Sequence, residues 1–245
     1  MHSFVIWMRP VHATADDSGI IAHMSCLRIG HRGAAGYAPG NTILAVEKAL
    51  AIGVDVIEVD VRTAGDGQLV VLHDRYLHDT AGIRRACDLS YEAIRTCQAR
   101  VGEEPSPLLA DVLEIVNGRA GLMIEMKTPG MTAAVTATVA GCGFQGQLLY
   151  ASFLHQELLA ARKQHPSAST VALLEGVLVD QTAFAKDAQA THVALAIESL
   201  GASFVRNLHD AGFAVFTYTA DLAEDIAYAK SCNVDGIISN YPDRI

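Results

Sequence analysis

The sequence lacks the features that would indicate a membrane-spanning or nucleic-acid-binding protein. No apolar run approaches the roughly 20 residues that a membrane-spanning helix needs. Basic residues are in the minority, with 18 Lys and Arg against 27 Asp and Glu, and they form no run. The net charge of -9 therefore provides no electrostatic footprint for nucleic acid or for an anionic membrane surface.

Cysteine is also used sparingly and without pattern. There are 5 cysteines, an odd number, and no C-x-x-C pair occurs. This usage argues against a disulfide framework and against a zinc knuckle. We therefore expect reduced thiols and a cytoplasmic location.

The sequence is rich in apolar residues, which make up 51% of its 245 residues, while charged residues make up 18%. This composition favours a large buried core, and α/β barrels of this size form one domain. The stretch MSCLRIGHRG, which starts at Met24, resembles the beginning of a first strand. We therefore interpret residues 1–25 as an N-terminal extension outside the fold and residues 26–245 as a single domain.

Short strand-like runs alternate with helical runs along this domain. The predicted strands are 26–31, 55–61, 121–127, 147–153, 169–174, 192–197, 214–219 and 235–239. A helix is predicted over 41–53, with Asn41 or Thr42 as its N-cap and Gly53 at its end. Eight strands separated by helical stretches predict a parallel (β/α)8 TIM barrel, in which sites lie at the carboxyl ends of the strands.

The stretch GVDVIEVDVRTAGDGQLVVLHD (53–74) places two acids inside an apolar strand. Glu58 and Asp60 share one face because side chains two apart in a strand point the same way. No helix fits between this strand and LVVLHD, and Asp66-Gly67 is a hairpin signal. A hairpin folded about that bond extends the second strand and places Asp60 opposite His73.

Polar side chains gather where three predicted strands end. Glu58 and Asp60 lie on the second strand and Glu125 on the third, so three carboxylates converge at the barrel mouth. A hard divalent cation would relieve their repulsion, and oxygen ligands suit Mg²⁺ or Ca²⁺. The alternative is a pair of salt bridges from Glu58 and Asp60 to Arg32 and Lys127.

Histidines and cations surround these acids. His31 ends the first strand and His73 ends the hairpin, where both could serve as general acid and base near neutral pH. The alternative is that both are structural. Arg32 and Lys127 could bind an anion, most plausibly a phosphate.

Several stretches together resemble the glycerophosphodiester phosphodiesterase family, within the phospholipase C-like phosphodiesterase superfamily. They are GHRG (30–33), APGNT (38–42), the stretch 53–74, IEMK (124–127), ASF (151–153) and VDGIISNYPD (234–243). The resemblance implies a metal-dependent TIM barrel that cleaves glycerophosphodiesters to glycerol 3-phosphate and an alcohol. Its small-molecule substrate is a phosphodiester, and its cofactor is one divalent cation, Mg²⁺ or Ca²⁺, with Mn²⁺ as a further candidate.

The resemblance also implies roles for individual residues. The acid and base are His31 and His73, and the groups that contact phosphate are Arg32 and Lys127. The metal ligands are Glu58, Asp60 and Glu125.

Two stretches depart from the family's pattern. PGNT (39–42) stands where the family usually has P-E-N-T, so an acid that could help order Arg32 or the metal shell is missing. FTYT (216–219) replaces W-T-V-N, which changes a pocket wall. Alternative substrates are therefore lysolipids, cleaved by a lysophospholipase D-type activity, or sugar phosphodiesters. An alternative of another class is a non-catalytic phosphate-binding barrel.

Overall fold

The computed structural model of the protein describes residues 26–79, 82–100 and 104–245. In chain order the strands are β1 (Leu27–Gly30), β2 (Val56–Thr63), β3 (Leu69–Val71), β4 (Tyr76–Asp79), β5 (Gly82–Arg85), β6 (Gly121–Met126), β7 (Leu148–Ser152), β8 (Ser169–Leu174), β9 (His192–Ala196), β10 (Ala214–Tyr218) and β11 (Gly236–Ser239). The helices are α1 (Ile43–Ile52), α2 (Tyr91–Arg100), α3 (Leu109–Val116), α4 (Thr132–Cys142), α5 (His155–Gln164), α6 (Ala183–Asp187), α7 (Ala202–Asp210) and α8 (Ala223–Ser231).

The fold is a closed barrel of parallel strands with helices in the crossovers. Strands β1, β2 and β6 to β11 pair side by side, and β11 returns to β1 to close the sheet. The predicted TIM barrel is therefore confirmed, and each predicted strand ends within two residues of its observed bounds. The proposed extension, residues 1–25, lies outside the described residues, so that boundary stays a prediction.

Strand β2 shows why the barrel carries acids on its inner face. Val56 belongs to the apolar core inside the barrel, and Glu58 and Asp60 follow it on the same face. Ile57, Val59 and Val61 form the outer face and pack with buried residues of the surrounding helices. The interior core fills the barrel below the acids; its buried members are Ile29, Val56, Met123, Leu149, Ala151, Val171, Leu173, Ala194, Phe216 and Ile238.

Helix α1 fixes the long loop that leaves β1. Thr42 is its N-cap, because Oγ1 accepts a hydrogen bond of 3.2 Å from the Ala45 amide. Gly53 ends the helix in the left-handed conformation, with φ 78°. Of the two predicted N-caps the structure selects Thr42, which leaves the Asn41 side chain available for another contact.

The hairpin after β2 exists, but its predicted register is wrong by one residue. Val61 pairs with Val71 and Thr63 with Leu69, and the Leu72 amide donates to the Asp60 carbonyl oxygen at 2.9 Å. Asp60 therefore lies opposite Leu72 rather than His73. The reason is the loop, which is centred on Asp66 instead of on the 66/67 bond and is closed by a hydrogen bond from the Ala64 amide to Gln68.

An excursion, here the segment with β4, β5 and α2, is inserted between this hairpin and the next part of the barrel. Strands β4 and β5 form an antiparallel hairpin that the sequence did not predict. The Asp66 carboxylate accepts a 2.9 Å hydrogen bond from the Tyr91 amide and so joins the β2–β3 loop to the start of α2. Buried apolar side chains give the excursion a core of its own: Ala64, Val70, Leu72, Leu77, Ala86, Leu89, Ile94 and Cys97.

Two predictions about environment concern the chain as a whole. Within the described ranges, no helix combines the length and the apolar character that crossing a bilayer requires. No disulfide joins the cysteines of the same ranges. The cytoplasmic location stays a prediction.

Candidate active site

Three carboxylates meet at the carboxyl ends of β2 and β6. Asp60 and Glu125 are direct neighbours across the parallel pair, and Glu58 lies one inward-facing position below Asp60. Each residue offers an oxygen, and these oxygens all lie within 4.8 Å of one another. Glu58 and Asp60 are buried, with 4% and 1% of their surfaces exposed. The predicted convergence of the three acids is therefore present.

Two cations neutralise only part of this cluster. Lys127 Nζ lies 2.6 Å from Glu125 Oε1 and 3.1 Å from Asp60 Oδ1, while Arg32 Nε lies 3.1 Å from Asp60 Oδ2. The carboxylate of Glu58 accepts a hydrogen bond of 2.8 Å, at Oε2, from the Arg32 amide. Its other oxygen, Oε1, is buried without a hydrogen-bond partner among the described residues. The salt-bridge alternative thus describes Asp60 but not Glu58.

The pKa values of the three acids reflect this uneven pairing with Arg32 and Lys127. Burial alone would raise the pKa of Asp60, but the charges of Lys127 and Arg32 outweigh it and lower that pKa to about 2. Burial, followed by the charge of Asp60, raises the pKa of Glu125 to about 7. Burial, with Asp60 and Glu125 beside it, raises the pKa of Glu58 well above its usual range.

This donor set fits a hard divalent cation. The three residues offer oxygen atoms only, as Mg²⁺ and Ca²⁺ prefer. The buried Glu58 Oε1 has an unused lone pair, and the pKa values of Glu58 and Glu125 are raised by burial and by the neighbouring carboxylates, whose repulsion a cation would relieve. The residues present therefore suit the ion that the sequence predicts.

The loop after β1 brings Arg32 to the acids through an unusual backbone. Arg32 and Gly33 both have positive φ, 51° and 85°. A Cβ on Gly33 would lie 2.5 Å from the backbone of Ala45, so this position requires glycine. The Gly33 amide also donates to the Glu58 carbonyl oxygen at 3.1 Å. The GHRG stretch is thus a tight turn that aims the Arg32 amide at Glu58.

Gly40, the departure from the family's pattern, lies against the same arginine. A Cβ there would lie 3.2 Å from Arg32 Cβ and 3.3 Å from Arg32 Cδ. The aliphatic part of Arg32 therefore packs over Gly40. Asp60, rather than an acid at position 40, is the carboxylate 3.1 Å from the Arg32 side chain.

The two predicted histidines occupy different surroundings. His31 lines the cavity above the acids, and its Nδ1 lies 2.8 Å from Asn240 Oδ1. Burial, followed by the charge of Arg32, lowers the pKa of His31. His73 is more exposed, with 41% of its side chain accessible, and its Nδ1 lies 2.8 Å from Asp74 Oδ1. His31 thus shares the cavity with Glu58 and Glu125, whereas His73 is not among the residues that line it and does not pair with Asp60 as predicted.

The cavity encloses about 320 Å³, including its solvent-open mouth. Its polar side chains are His31, Glu58 and Glu125, and its apolar wall consists of Met123, Ala151, Phe153, Leu173, Tyr218 and Ile238. Phe153 meets Tyr218 edge to face, with ring centroids 6.1 Å apart. Phe216, by contrast, is buried in the barrel core, so Tyr218 supplies the altered wall expected from FTYT.

Three polar residues at the site were not predicted from the sequence. Asn41 binds both the backbone and the side chain of Asp60. Arg62 Nε donates to the His73 carbonyl oxygen at 2.8 Å, and Asn240 contacts His31. A signal was available for all three, because each lies within a stretch that carries the family resemblance: 38–42, 53–74 or 234–243.

Fold and site together define a TIM barrel whose mouth carries three carboxylates that could bind a divalent cation. Comparison with known proteins makes the class more specific. The sequence model of the Glycerophosphoryl diester phosphodiesterase family matches residues 31–244. The chain therefore belongs to the glycerophosphoryl diester phosphodiesterase family, which confirms the resemblance found in the sequence.

Individual relatives agree with this membership. A glycerophosphodiester phosphodiesterase of Bacillus altitudinis is 30% identical over 230 residues, which cover 87% of this chain and 94% of the relative. A putative glycerophosphoryl diester phosphodiesterase of Silicibacter pomeroyi has a TM-score of 0.80 at 26% identity, covering 91% and 92% of the two chains. An Oleispira antarctica phosphodiesterase, solved with the product sn-glycerol-3-phosphate, has a TM-score of 0.80 at 23% identity. The match covers 89% of this chain and 94% of that one and shows that the two share the fold.

Proposed function

We propose that the protein hydrolyses glycerophosphodiesters to glycerol 3-phosphate and an alcohol, with one divalent cation bound by Glu58, Asp60 and Glu125. The observation that carries the proposal is the oxygen cluster itself, in which Glu58 Oε1 is buried without a hydrogen-bond partner among the described residues. Membership of the phosphodiesterase family and the name of the Bacillus altitudinis relative support the choice of substrate.

The bound cation, Mg²⁺, Ca²⁺ or Mn²⁺, would supply positive charge for the oxygens of the reacting phosphodiester. The protein's own cations complement it. Arg32 is partly exposed, with 30% of its side-chain surface accessible, whereas its partner Asp60 is buried. Part of the Arg32 side chain therefore remains accessible for contact with a phosphate. Lys127 is held next to it by Asp60 and Glu125.

The histidines carry the protons in this proposal. One ring removes a proton from the attacking water as the water oxygen bonds to phosphorus, and the other protonates the oxygen of the departing alcohol as its bond to phosphorus breaks. The different surroundings of His31, which lines the cavity, and of His73, which is exposed, support separate roles for the two rings. We assign the acid role to His73, next to Asp74.

One observation favours the alternative lysolipid or otherwise less polar substrates. Apart from His31 and the acids, the cavity lining consists of apolar side chains and of Tyr218, whose hydroxyl donates to the Leu174 carbonyl oxygen. The lining includes Phe153, which is 44% exposed. Such a wall offers few groups that could hydrogen-bond a sugar, so the sugar-phosphodiester alternative is the less favoured of the two. A non-catalytic phosphate-binding barrel would bind inorganic phosphate without turnover.

A substrate panel separates these functions. We expect product release from glycerophosphocholine and glycerophosphoethanolamine in the presence of Mg²⁺, Mn²⁺ or Ca²⁺. Bis(p-nitrophenyl) phosphate tests general phosphodiesterase activity, and a lysolipid tests the second candidate. Turnover of lysolipid alone would replace the proposed substrate. Phosphate binding without any turnover would contradict the proposal.

A further inference from the structure

A chain of hydrogen bonds runs from His31 to a carboxylate behind it. His31 Nδ1 lies 2.8 Å from Asn240 Oδ1, and Asn240 Nδ2 donates to Asp221 Oδ2 at 2.6 Å. Asp221 Oδ1 also accepts from the Asn240 amide at 2.8 Å and from Ser239 Oγ at 2.9 Å. Asp221 follows β10 and Asn240 follows β11. The hydrogen-bonded residues therefore come from the carboxyl ends of these two strands and of β1, which His31 follows.

Asp221 determines which way the Asn240 amide group faces. A carboxylate only accepts hydrogen bonds, so the group 2.6 Å from it must be the NH₂ of the amide. The reverse orientation would place two oxygens in contact and leave the NH₂ facing His31. The Asn240 side chain therefore presents its carbonyl oxygen to the imidazole.

The orientation of that amide in turn determines where the imidazole carries its proton. An amide oxygen accepts but cannot donate, so the ring nitrogen 2.8 Å away must be protonated. A neutral imidazole has one N–H, which here is on Nδ1, and its lone pair is therefore on Nε2. His31 itself lines the cavity with Glu58 and Glu125.

We propose that Asp221 and Asn240 are positioning residues that hold His31 in the Nδ1–H tautomer, so that Nε2 is the proton acceptor of the reaction. This inference rests on the proposed function, and it separates the roles of the two histidines on structural grounds. His31 takes the proton of the attacking water. The partial burial of the ring beside Arg32, which favours the uncharged imidazole, agrees with this role.

The test compares three proteins: the wild type, Asp221→Asn and Ser239→Ala. In Asp221→Asn the anchor can donate as well as accept, so the Asn240 amide can reverse and offer its NH₂ to His31. Ser239→Ala is the matched control, because it removes a hydrogen bond to the same carboxylate and leaves the link from Asp221 through Asn240 to His31 intact. Long-range ¹H–¹⁵N correlation spectra of the imidazole report the tautomer without any turnover.

We expect the Nδ1–H tautomer for His31 in the wild type and in Ser239→Ala, and a gain of the Nε2–H form in Asp221→Asn. With glycerophosphocholine and Mg²⁺, kcat of Asp221→Asn should fall at least tenfold, because Nε2 of His31 then carries a proton and cannot accept another. KM should stay within about twofold. Ser239→Ala should keep kcat within about threefold of the wild type.

The wild-type spectrum decides the inference even if Asp221→Asn fails to fold. Turnover by a wild-type protein whose His31 carries the Nε2–H tautomer would overturn the inference and leave the proposed function intact. An unchanged tautomer and unchanged kcat in folded Asp221→Asn would overturn it as well. The predicted tautomer in a protein without phosphodiester turnover would instead contradict the proposed function.

Discussion

The Asn41 side chain hydrogen-bonds both the carboxylate and the backbone amide of Asp60. Its Nδ2 donates to Asp60 Oδ2 at 2.8 Å, and its Oδ1 accepts from the Asp60 amide at 3.1 Å. Asn41 adopts the left-handed conformation, with φ 62°, that allows this contact directly before helix α1. The loop after β1 therefore holds the proposed metal ligand of β2 in place.

Replacement of Asn41 should weaken both the fold and cation binding. We expect Asn41→Gly, which tolerates the positive φ but loses both hydrogen bonds, to lower the free energy of unfolding by about 1–3 kcal/mol. Asn41→Ala should cost about 1–2 kcal/mol more, because alanine disfavours that backbone conformation. Affinity for Mg²⁺ should drop by about 10-fold or more in both variants, since the ligand Asp60 loses its support.

Denaturant unfolding with and without Mg²⁺ measures these effects. The control is Asn233→Gly, because Asn233 is an exposed asparagine with the same φ of 62°. We expect it to remain within about 0.5 kcal/mol of the wild type. Asn41→Gly with wild-type stability and metal affinity would show that its contact with Asp60 contributes nothing.

Arg62 should matter for the rate, because it holds the backbone at His73. Its Nε donates to the His73 carbonyl oxygen at 2.8 Å, and Nη1 donates to the Lys127 carbonyl oxygen at 3.3 Å. Loss of this clamp displaces His73, and a shift of about 1 Å can cost up to about 100-fold in rate. We expect Arg62→Met to reduce kcat by about 10- to 100-fold and Arg62→Lys, which can reach one carbonyl, to recover part of it.

Steady-state kinetics on glycerophosphocholine check this prediction. Arg28→Met is the control, because Arg28 hydrogen-bonds Gly53 and pairs with Asp55 at the start of β1, at the other end of the barrel. Its kcat should be that of the wild type. Full activity of Arg62→Met would remove Arg62 from the account.

The two histidines should respond differently to the leaving group. His31→Ala and His73→Ala should each lower kcat by about 10²–10⁴-fold with little change in KM. A p-nitrophenolate leaving group needs little protonation, so it should partly rescue the variant that lacks the acid, His73→Ala, but not His31→Ala. Equal losses on both substrates in both variants would contradict the division of roles.

The raised pKa of Glu125 predicts how stability depends on pH when no cation is bound. Burial and Asp60 place this pKa at about 7 in the folded protein, whereas an unfolded glutamate titrates near 4.3. The folded state thus binds more protons between these values, so stability is fully present below about pH 4.3 and is lost as the pH rises to about 7.

Melting temperatures in EDTA measure this loss. Glu125→Gln cannot titrate, so the wild type should lose stability relative to Glu125→Gln as the pH rises from about 4.3 to 7. Saturating Mg²⁺ should raise the wild-type melting temperature at pH 7 by several degrees, because the cation binds only the folded site. A constant difference between the two proteins in EDTA would contradict the assignment.

The strands and the acid cluster could be predicted because both follow from local patterns. Short apolar runs separated by helical stretches define the barrel strands, and Glu58, Asp60 and Glu125 interrupt these runs. The hairpin register could not be predicted, since it depends on whether the loop centres on Asp66 or on the 66/67 bond. Strands β4 and β5 are four residues each and show no clear alternation.

Contacts between distant residues were also beyond the reach of the sequence. His31 and Asn240 are 209 positions apart and meet only because β11 closes against β1. Asn41 could be read as a helix cap as readily as a partner of Asp60, since asparagine serves both purposes. Only the fold decides between these uses.

The most direct test of the account measures glycerol 3-phosphate released from glycerophosphocholine by protein treated with EDTA and then supplied with Mg²⁺, Mn²⁺ or Ca²⁺. We expect no turnover after EDTA, recovery with at least one of the three ions, and no comparable recovery in Glu58→Gln, whose side chain has lost a charged ligand. Full turnover by the metal-stripped wild type would contradict the central claim that the three carboxylates work through a bound cation.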